Sequence, residues 1–162
     1  IRWAIKLARE TNSKLLLAGN VEDPEFFKRD VKPYLSKKIR WIGPVSPEQP
    51  LTKKEVAKLM QEAKAFLMTI NWYEPFGLVM AESMSCGTPV IGFDRGAVSE
   101  LVVDGKTGFV VKPKEGINGL KKALKNIDKI KPKDCRKHIE KNFSLEKMVE
   151  EYEKVYYKVL KI

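Results

Sequence analysis

The chain has 162 residues, of which 43% are hydrophobic and 32% are charged, and its formal net charge is +10 at pH 7. This length suits one domain with a full core, and no stretch approaches the roughly 18 consecutive apolar residues of a membrane span, which favours a soluble protein. The first residues form an amphipathic pattern without a secretory signal, so we expect a cytoplasmic location.

Helical and extended patterns alternate along the chain. The clearest helix start is TKKE at 52–55, where Thr52 and Glu55 can each bind the other's backbone amide. Helices are predicted over 1–11, 24–35, 52–63, a segment after residue 77, 97–103, 114–127, 132–142 and 144–160. Strands are predicted over 14–19, 39–43, 65–70, 89–93 and 109–111. The last helix places these apolar residues on one face: Leu145, Met148, Val149, Tyr152, Val155, Tyr156 and Val159.

Strands separated by helices of this length predict an α/β fold, with a Rossmann-like parallel sheet covered by helices on both faces. Ligands of such sheets bind in the crevice at the carboxyl ends of the strands. The loops after Gly43, Ile70 and Phe93 should lie at that edge. The fold alone therefore predicts a site that includes the loop after Ile70.

The stretch 66–90, FLMTINWYEPFGLVMAESMSCGTPV, carries the most informative residues. Pro75 suits the entry to a helix, and Gly77 leaves the backbone bare where a ligand can approach. Glu74 and Glu82 lie on either side of the expected helix N-terminus, where free N–H groups and the helix dipole favour an anion such as a diphosphate. The pattern indicates a ligand with phosphates and hydroxyls.

These motifs resemble the signature of the group 1 (family 4) glycosyltransferases, which are retaining enzymes of the GT-B fold. The resemblance rests on EPFGLVMAE at 74–82 and SMSCGTPVI at 83–91, followed by Gly96 with Glu100 and by DGKTGF at 104–109. The segment GPV at 43–45 also resembles the family's loop beside the nucleotide base. One departure is Gly96-Ala97, where the family more often has two glycines.

The resemblance implies a role for each of these positions. The first glutamate lies beside the donor sugar and is the expected catalytic residue, the following amides meet the phosphates, and the second glutamate holds the ribose hydroxyls. The chemistry agrees, since a carboxylate accepts two hydroxyl hydrogen bonds and backbone donors suit a phosphate. The residues expected at the site are Glu74, Pro75, Phe76, Gly77, Leu78, Val79, Glu82, Gly43 and Val45.

The resemblance also implies that residues 1–162 are the C-terminal, nucleotide-sugar-binding domain of a larger enzyme. Family members carry an arginine and a lysine in a loop before the helix that opens this chain, and an N-terminal acceptor domain before that. Neither the loop, nor the first strand that leads into it, nor the acceptor domain is present in this sequence. We therefore expect a fragment that is inactive in transfer by itself.

The expected function is transfer of a hexose from a GDP- or UDP-linked donor to a glycan or lipid acceptor that the missing domain holds. Mannose and glucose are the first candidates for the hexose. The choice of a mannosyl- or glucosyltransferase in cell-surface polysaccharide or glycolipid synthesis rests on how common such members are. No cofactor and no metal is expected, because helix amides and cationic side chains can balance the phosphate charge.

Two other classes remain as alternatives. A sugar-nucleotide epimerase of the same architecture would usually need further acids or histidines in the cleft, and this chain offers few. A basic nucleic-acid-binding module would explain the charge, but the chain has no RNP-like aromatic strand and no helix-turn-helix pattern. We therefore expect no nucleic-acid partner.

Residues 112–162 carry most of the excess charge, with 15 Lys and Arg against 8 Asp and Glu. The cations are spread along helical patterns, and abundant Lys and Glu with only two Gln also suit a thermophile's solvated surface. We favour that interpretation and leave open a peripheral contact with the inner membrane face. Cys86, Cys135 and the single histidine, His138, lack the spacing of a disulfide framework or metal site.

Overall fold

The computed structural model describes residues 1–43 and 51–161. Its helices are α1 Arg2–Thr11, α2 Pro24–Phe26, α3 Lys53–Glu62, α4 Leu78–Ser85, α5 Val98–Leu101, α6 Gly116–Asn126, α7 Pro132–Asn142 and α8 Leu145–Leu160. Its strands are β1 Leu15–Leu17, β2 Ile39–Trp41, β3 Phe66–Met68, β4 Val90–Phe93 and β5 Gly108–Val111. The order of elements agrees with the order predicted from the sequence.

The segment after β1 is the place where a predicted helix is most irregular; the helix predicted over 114–127 also has 3-10 turns at its two ends, Pro113–Glu115 and Ile127–Lys129. In place of a continuous helix over 24–35, α2 passes into a π turn at Phe27–Val31 and a 3-10 turn at Lys32–Tyr34. Pro33 explains the break, because proline lacks an amide donor and its ring clashes with the carbonyl four residues earlier. The hydrophobic pattern correctly indicates helical turns in this segment, but the proline prevents a continuous α-helix.

All observed strand pairs are parallel, which confirms the predicted fold class. The described strands form two groups: β1 pairs with β2, and β3, β4 and β5 form a three-stranded sheet in that order. The registers place Leu15 opposite Ile39, Phe66 opposite Val90 and Val90 opposite Gly108. Because the strands run in the same direction, the loops after β3 and β4 leave the sheet at the same edge.

Helices cover both faces of the strands and bury two apolar clusters. The larger cluster joins β3, β4 and β5 to α4, α6 and α7, and includes Met80, Met84, Phe93 and Leu120. The smaller cluster packs α1 against β1 and β2. Leu67 on β3 contacts both clusters, so it links the two groups of strands. The larger cluster positions α4, the helix that opens at the expected site.

The last helix is the longest of the described helices and is largely exposed. Helix α8 begins at Ser144, whose side chain accepts a hydrogen bond from the Lys147 amide, and it runs for 16 residues. None of its described residues is buried. The apolar face predicted from the sequence is therefore present, but it is exposed to solvent.

In the described part of the chain, no helix combines the length and hydrophobicity needed to cross a lipid bilayer.

Candidate functional site

The site is built around the start of α4. Gly77 is the residue before the first turn and has a left-handed backbone, with φ 81° and ψ 63°. Glycine adopts this conformation without the steric penalty that a Cβ brings. A Cβ at this position would lie 2.5 Å from Cε of Met80 and 3.2 Å from Cγ of Glu74. The backbone therefore turns into α4 by a path that leaves no room for a side chain.

The first amides of α4 are available to a ligand. Within residues 1–43 and 51–161, the backbone N–H groups of Gly77, Leu78 and Val79 have no hydrogen-bond acceptor, and no side chain caps the helix. The first turn contains no acidic residue that would compete for these donors. Such a helix N-terminus attracts anions through its free N–H groups and its dipole.

Glu74 lies in the loop between β3 and α4, and its backbone is held by the loop after β4. The Glu74 carbonyl accepts a hydrogen bond of 2.8 Å from the Ala97 amide, and Glu74 and Gly96 form an isolated parallel bridge. A Cβ on Gly96 would lie 2.5 Å from the Glu74 backbone nitrogen and closer still to its carbonyl oxygen. The two backbones are therefore in direct contact, which only glycine permits at position 96.

This contact explains the departure from two glycines. The first position of the pair needs glycine for two reasons. Gly96 has a left-handed backbone with φ 59°, and it lies in close contact with the Glu74 backbone. At the second position Ala97 is buried, and the structure uses only its amide to bind Glu74. An alanine therefore meets the structural requirement at position 97.

The Glu74 carboxylate is oriented by its neighbour. The indole Nε1–H of Trp72 donates to Oε2 of Glu74 over 3.0 Å. The Trp72 side chain is 58% exposed, which is unusual for so large an apolar group. The Glu74 residue itself is partly buried. The hydrogen bond fixes the direction in which this carboxylate points.

The aromatic residue between Glu74 and Gly77 anchors the loop from the other side. The Phe76 ring packs edge-on against Phe143 at the end of α7, with ring centroids 6.0 Å apart. Pro75, Leu78 and Val79 are exposed, so their side chains do not form the core. At positions 77–79 the backbone amides therefore remain the groups that we expect to meet a ligand.

Glu82, the second glutamate of the predicted pair, lies near the middle of α4 and is exposed. The structure therefore puts Glu74, Pro75, Phe76, Gly77, Leu78, Val79 and Glu82 on one continuous segment, the loop and helix at the carboxyl edge of β3. Gly43 follows β2, and its carbonyl accepts a hydrogen bond of 3.5 Å from the Gly19 amide. Val45 lies outside the described residues.

Two residues at the ends of neighbouring strands form an ion pair beside the loop. Asp94 follows β4, Lys112 follows β5, and their side chains are in contact. The Lys112 ammonium, with a smaller contribution from the Ser99 hydroxyl, lowers the pKa of Asp94 below its usual value. Lys112 thus neutralises Asp94 and leaves the neighbouring Arg95 without a carboxylate partner from that residue.

The polar residues remote from the loop have structural contacts. His138 bonds the Leu101 carbonyl through Nε2 at 2.9 Å, and the Asn142 amide lies 3.1 Å from its Nδ1. Cys135 is buried and its Sγ lies 3.6 Å from the Thr107 carbonyl; burial raises its pKa to about 11. Among the described residues, no group of three or more His, Cys, Asp or Glu side chains could hold a metal ion.

Trp72 was missed in the sequence analysis, whereas Arg95 was placed at the ligand-side end of a strand without its contact being predicted. Arg95 Nη1 donates to the Asn71 carbonyl over 3.2 Å, at the start of the loop that carries Glu74. The signal for Trp72 was a large aromatic residue inside a polar break, where exposure is costly. For Arg95 the local sequence gives no such signal, because its partner is 24 residues away.

The family comparison agrees with this geometry. Residues 3–144 match the model of the glycosyl transferases group 1 family. N-acetyl-alpha-D-glucosaminyl L-malate synthase of Bacillus anthracis is 28% identical over 164 residues, which cover 96% of this chain and 40% of that protein. Sucrose synthase of Solanum tuberosum is 32% identical over 82 residues, which cover 51% of this chain and 10% of that protein.

Solved structures show the same fold. Anabaena Alr3699/HepE in complex with UDP-glucose superimposes with a TM-score of 0.75 at 18% identity, covering 96% of this chain and 44% of that one. A glycosyltransferase from Rickettsia africae gives a TM-score of 0.77 at 20% identity, covering 98% of this chain and 44% of that one. The chain thus spans less than half the length of these proteins.

Three findings point to one family. The parallel strands carry α4 and Glu74 at their carboxyl edge, the loop and helix hold the motif residues Glu74 to Glu82, and the family model matches most of the chain. The Rossmann-like fold matches part of a GT-B glycosyltransferase structure, as the motifs predicted. The chain belongs to the group 1 glycosyl transferases.

Proposed function

We propose that this chain is the nucleotide-sugar-binding part of a retaining glycosyltransferase, which transfers a hexose from a nucleotide-diphospho-sugar to a glycan or lipid acceptor. The observation that carries the proposal is the start of α4, where Gly77, Leu78 and Val79 present free amides next to Glu74. A diphosphate matches the amides, and a sugar hydroxyl matches the carboxylate.

The diphosphate is the leaving group of the reaction. As the bond between the sugar and the phosphate oxygen breaks, negative charge grows on that oxygen, and amides already aimed at it stabilise the charge without reorganising. Glu74 would hold the sugar while the acceptor oxygen bonds to the anomeric carbon and the acceptor proton passes to the departing diphosphate oxygen. Glu82 on α4 would accept hydrogen bonds from the two ribose hydroxyls.

The names of related proteins support a UDP-linked donor. Alr3699/HepE was solved with UDP-glucose, and a pneumococcal O-GlcNAc transferase was solved with UDP and GlcNAc. We therefore place UDP-glucose first, while a GDP-linked mannose remains an alternative within the same proposal. Polysaccharide or glycolipid synthesis is the expected setting.

A second part of the proposal concerns the complete enzyme. The chain spans 40% of the Bacillus anthracis relative and 44% of the Anabaena protein, so the acceptor would bind to a further domain. Proximity of donor and acceptor can contribute roughly 7 to 11 kcal/mol to catalysis. This chain alone would then bind a donor weakly and transfer nothing. A cytoplasmic enzyme with a lipid acceptor would work at the inner membrane face, where the basic residues 112–162 favour contact.

NMR titration tests the binding proposal. UDP, UDP-glucose, GDP-mannose and ADP-glucose are added to this chain, and the backbone amide signals of Phe76, Gly77 and Leu78 are followed. We expect shifts with a Kd on the order of millimolar, about −4 kcal/mol, for the preferred nucleotide. Uridine without phosphates is the matched control and should leave these three signals in place.

Two results would contradict the proposal. If UDP and the other nucleotides move none of these amides, the diphosphate does not bind at α4. If a random DNA oligonucleotide binds more tightly than any nucleotide and loses its affinity in salt, the basic surface serves nucleic acid instead. Adding the remaining N-terminal portion should restore transfer; full turnover without it would show that this chain is a complete enzyme.

A further inference from the structure

The loop that carries Glu74, residues 71–74, is held at three points by hydrogen bonds. The Trp72 indole holds the Glu74 carboxylate, the Ala97 amide holds the Glu74 carbonyl, and Arg95 holds the Asn71 carbonyl. Both ends of the loop and its functional side chain are therefore fixed before any ligand binds. Such fixed geometry is what a reacting group needs, since a small displacement can lower the rate strongly.

Trp72 determines how the Glu74 carboxylate can be used. The Trp72 Nε1–H donates a hydrogen bond to Oε2 of Glu74 over 3.0 Å. Oε1 of Glu74 has no hydrogen-bond partner within the described parts of the chain. A free carboxylate could rotate and offer either oxygen or both. With Oε2 taken, Oε1 is the oxygen that remains for a ligand hydroxyl. Trp72 is also largely exposed, so core packing does not explain its presence.

Arg95 is held in place at an energetic cost. Its Nε atom is buried and has no acceptor among residues 1–43 and 51–161. Leaving a buried donor unpaired is unfavourable. No carboxylate of the described residues forms an ion pair with Arg95, and the adjacent Asp94 binds Lys112. Arg95 does donate a hydrogen bond from Nη1 to the Asn71 carbonyl. This hydrogen bond is therefore the contact that we infer to hold Arg95 beside the loop.

We propose that Trp72 and Arg95 are positioning residues that fix the Glu74 loop, so that Glu74 presents the single oxygen Oε1 to one hydroxyl of the donor sugar. This inference rests on the proposed function. Glu74 then distinguishes sugars that differ in the configuration of that hydroxyl, because a misplaced hydroxyl leaves Oε1 unpaired. The nucleotide portion, which binds to the α4 amides and Glu82, does not depend on either residue.

The first test replaces the indole by a ring without a donor, Trp72→Phe, in the complete enzyme. We expect kcat/KM for the preferred donor to fall roughly 10- to 100-fold. The preference between two donors that differ only at one sugar hydroxyl, UDP-glucose and UDP-galactose, should fall as well. The Kd for UDP should stay within about twofold, because UDP lacks the transferred hexose that would contact Glu74. Trp41→Phe is the matched control, since Trp41 packs against Phe27 and not against this loop.

A signal from Trp72 itself gives a second measurement. The indole N–H resonance of Trp72 should shift when UDP-glucose is added and stay in place with UDP. Only the glucose portion would bind to the Glu74 carboxylate that accepts the Trp72 hydrogen bond. An unchanged sugar preference in Trp72→Phe would overturn the inference. An equal loss of affinity for UDP and UDP-glucose would overturn it too, because Trp72 would then act on the nucleotide.

The second test separates positioning from direct binding by Arg95. Arg95→Ala should lower kcat/KM about tenfold, and Arg95→Lys should recover most of it, since an ammonium can still reach the Asn71 carbonyl. UDP affinity should be the same in both variants. Loss of UDP affinity in both would show that Arg95 binds the ligand anion directly, and unchanged kcat/KM in Arg95→Ala would show no role. Arg9→Ala is the control, because Arg9 stacks on Tyr34 away from the loop.

The proposed function and this inference fail in different ways. A wild-type enzyme that neither binds nor transfers from any nucleotide sugar contradicts the proposed function before a variant is made. A wild-type enzyme that transfers sugar, with Trp72→Phe equally active and equally selective, contradicts this inference alone.

Discussion

Helices α4 and α8 show opposite relations between hydrophobic pattern and burial. Helix α4 has eight residues and buries Met80, Ser83 and Met84, with apolar residues around most of its circumference. Helix α8 has 16 residues with a clear apolar face, and none of its described residues is buried. Of these two helices, the one with the clearer amphipathic pattern is thus the one without a buried residue. An apolar stripe shows that a face suits burial, but it does not show what buries it.

The same contrast extends to function. Helix α4 is fixed at both ends, by Gly77 at its start and by the Ser83 hydroxyl, which donates to the Thr88 carbonyl, near its end. Helix α8 is stabilised by its own ion pairs, such as Lys147 with Glu151. A ligand site needs the first situation, because its amides must stay in place.

The largest difference should appear when a methionine is shortened. Met84→Ala removes a side chain with 0% exposure and should lower the free energy of unfolding by about 2 to 5 kcal/mol. Met148→Ala on α8, where the side chain is 50% exposed, should change it by less than about 0.5 kcal/mol. Urea unfolding measures both. Equal losses would show that α8 is buried in solution.

A second comparison concerns the start of α4. Gly77→Ala should cost about 2 to 4 kcal/mol, because alanine is strained at φ 81° and its Cβ meets Met80. Gly105→Ala is the matched control: Gly105 has φ 73° but nothing lies near its Cβ, so only the strain of about 1 to 2 kcal/mol applies. Thermal unfolding gives both values. If the two variants are equally stable, Met80 moves aside freely and the start of α4 is not rigid.

The third prediction concerns binding rather than stability. Glu82→Gln should weaken nucleotide binding by roughly 1 to 3 kcal/mol, because the neutral amide loses charge-assisted hydrogen bonds from the ribose hydroxyls. Glu153→Gln, on the exposed helix α8, should leave binding unchanged. Calorimetric titration with the preferred nucleotide compares them. Equal affinity of the wild type and Glu82→Gln, with both folded, would remove Glu82 from the site.

The smallest effect should be the response of α8 to acid. Hydrogen bonds from Lys147 and Lys154 lower the pKa of Glu151 to about 2, from an ordinary value near 4.5. A lowered pKa in the folded state means that these ion pairs stabilise α8 above pH 4.5 and that their contribution is lost as the pH falls towards 2. Carbon chemical shifts of α8 should therefore lose helical character in this range before those of α4. In Glu151→Gln this step should be smaller, and an equal step in that variant would assign it to other groups.

Local patterns predicted most of the fold. The bounds of α7 were predicted at 132–142 and are observed at Pro132–Asn142, because Pro132 suits a first helical position and fixes the start. The capping box at Thr52 and Glu55 forms as expected. Both signals depend on residues within one turn of each other, so the sequence alone contains the necessary information.

The candidate site was predicted in part. The segment from Glu74 to Glu82 was identified from the motif, and its position at the carboxyl edge followed from the parallel strands. The contacts of Arg95 and Ala97 with the Glu74 loop could not be predicted in the same way, because these residues are more than 20 positions away in the sequence. The role of Gly96 depends equally on a tertiary contact, a backbone approach that no local pattern specifies.

The backbone contact between Gly96 and Glu74 has a consequence for redesign of the enzyme. With no side chain between them, the loops after β3 and β4 touch over their main chains, so the shape of one dictates the path of the other. A loop transplanted from a relative to change the donor would therefore need its partner loop as well. The two segments, 71–77 and 94–97, form a single cassette for recombination, and chimaeras that exchange both should express better than those that exchange one.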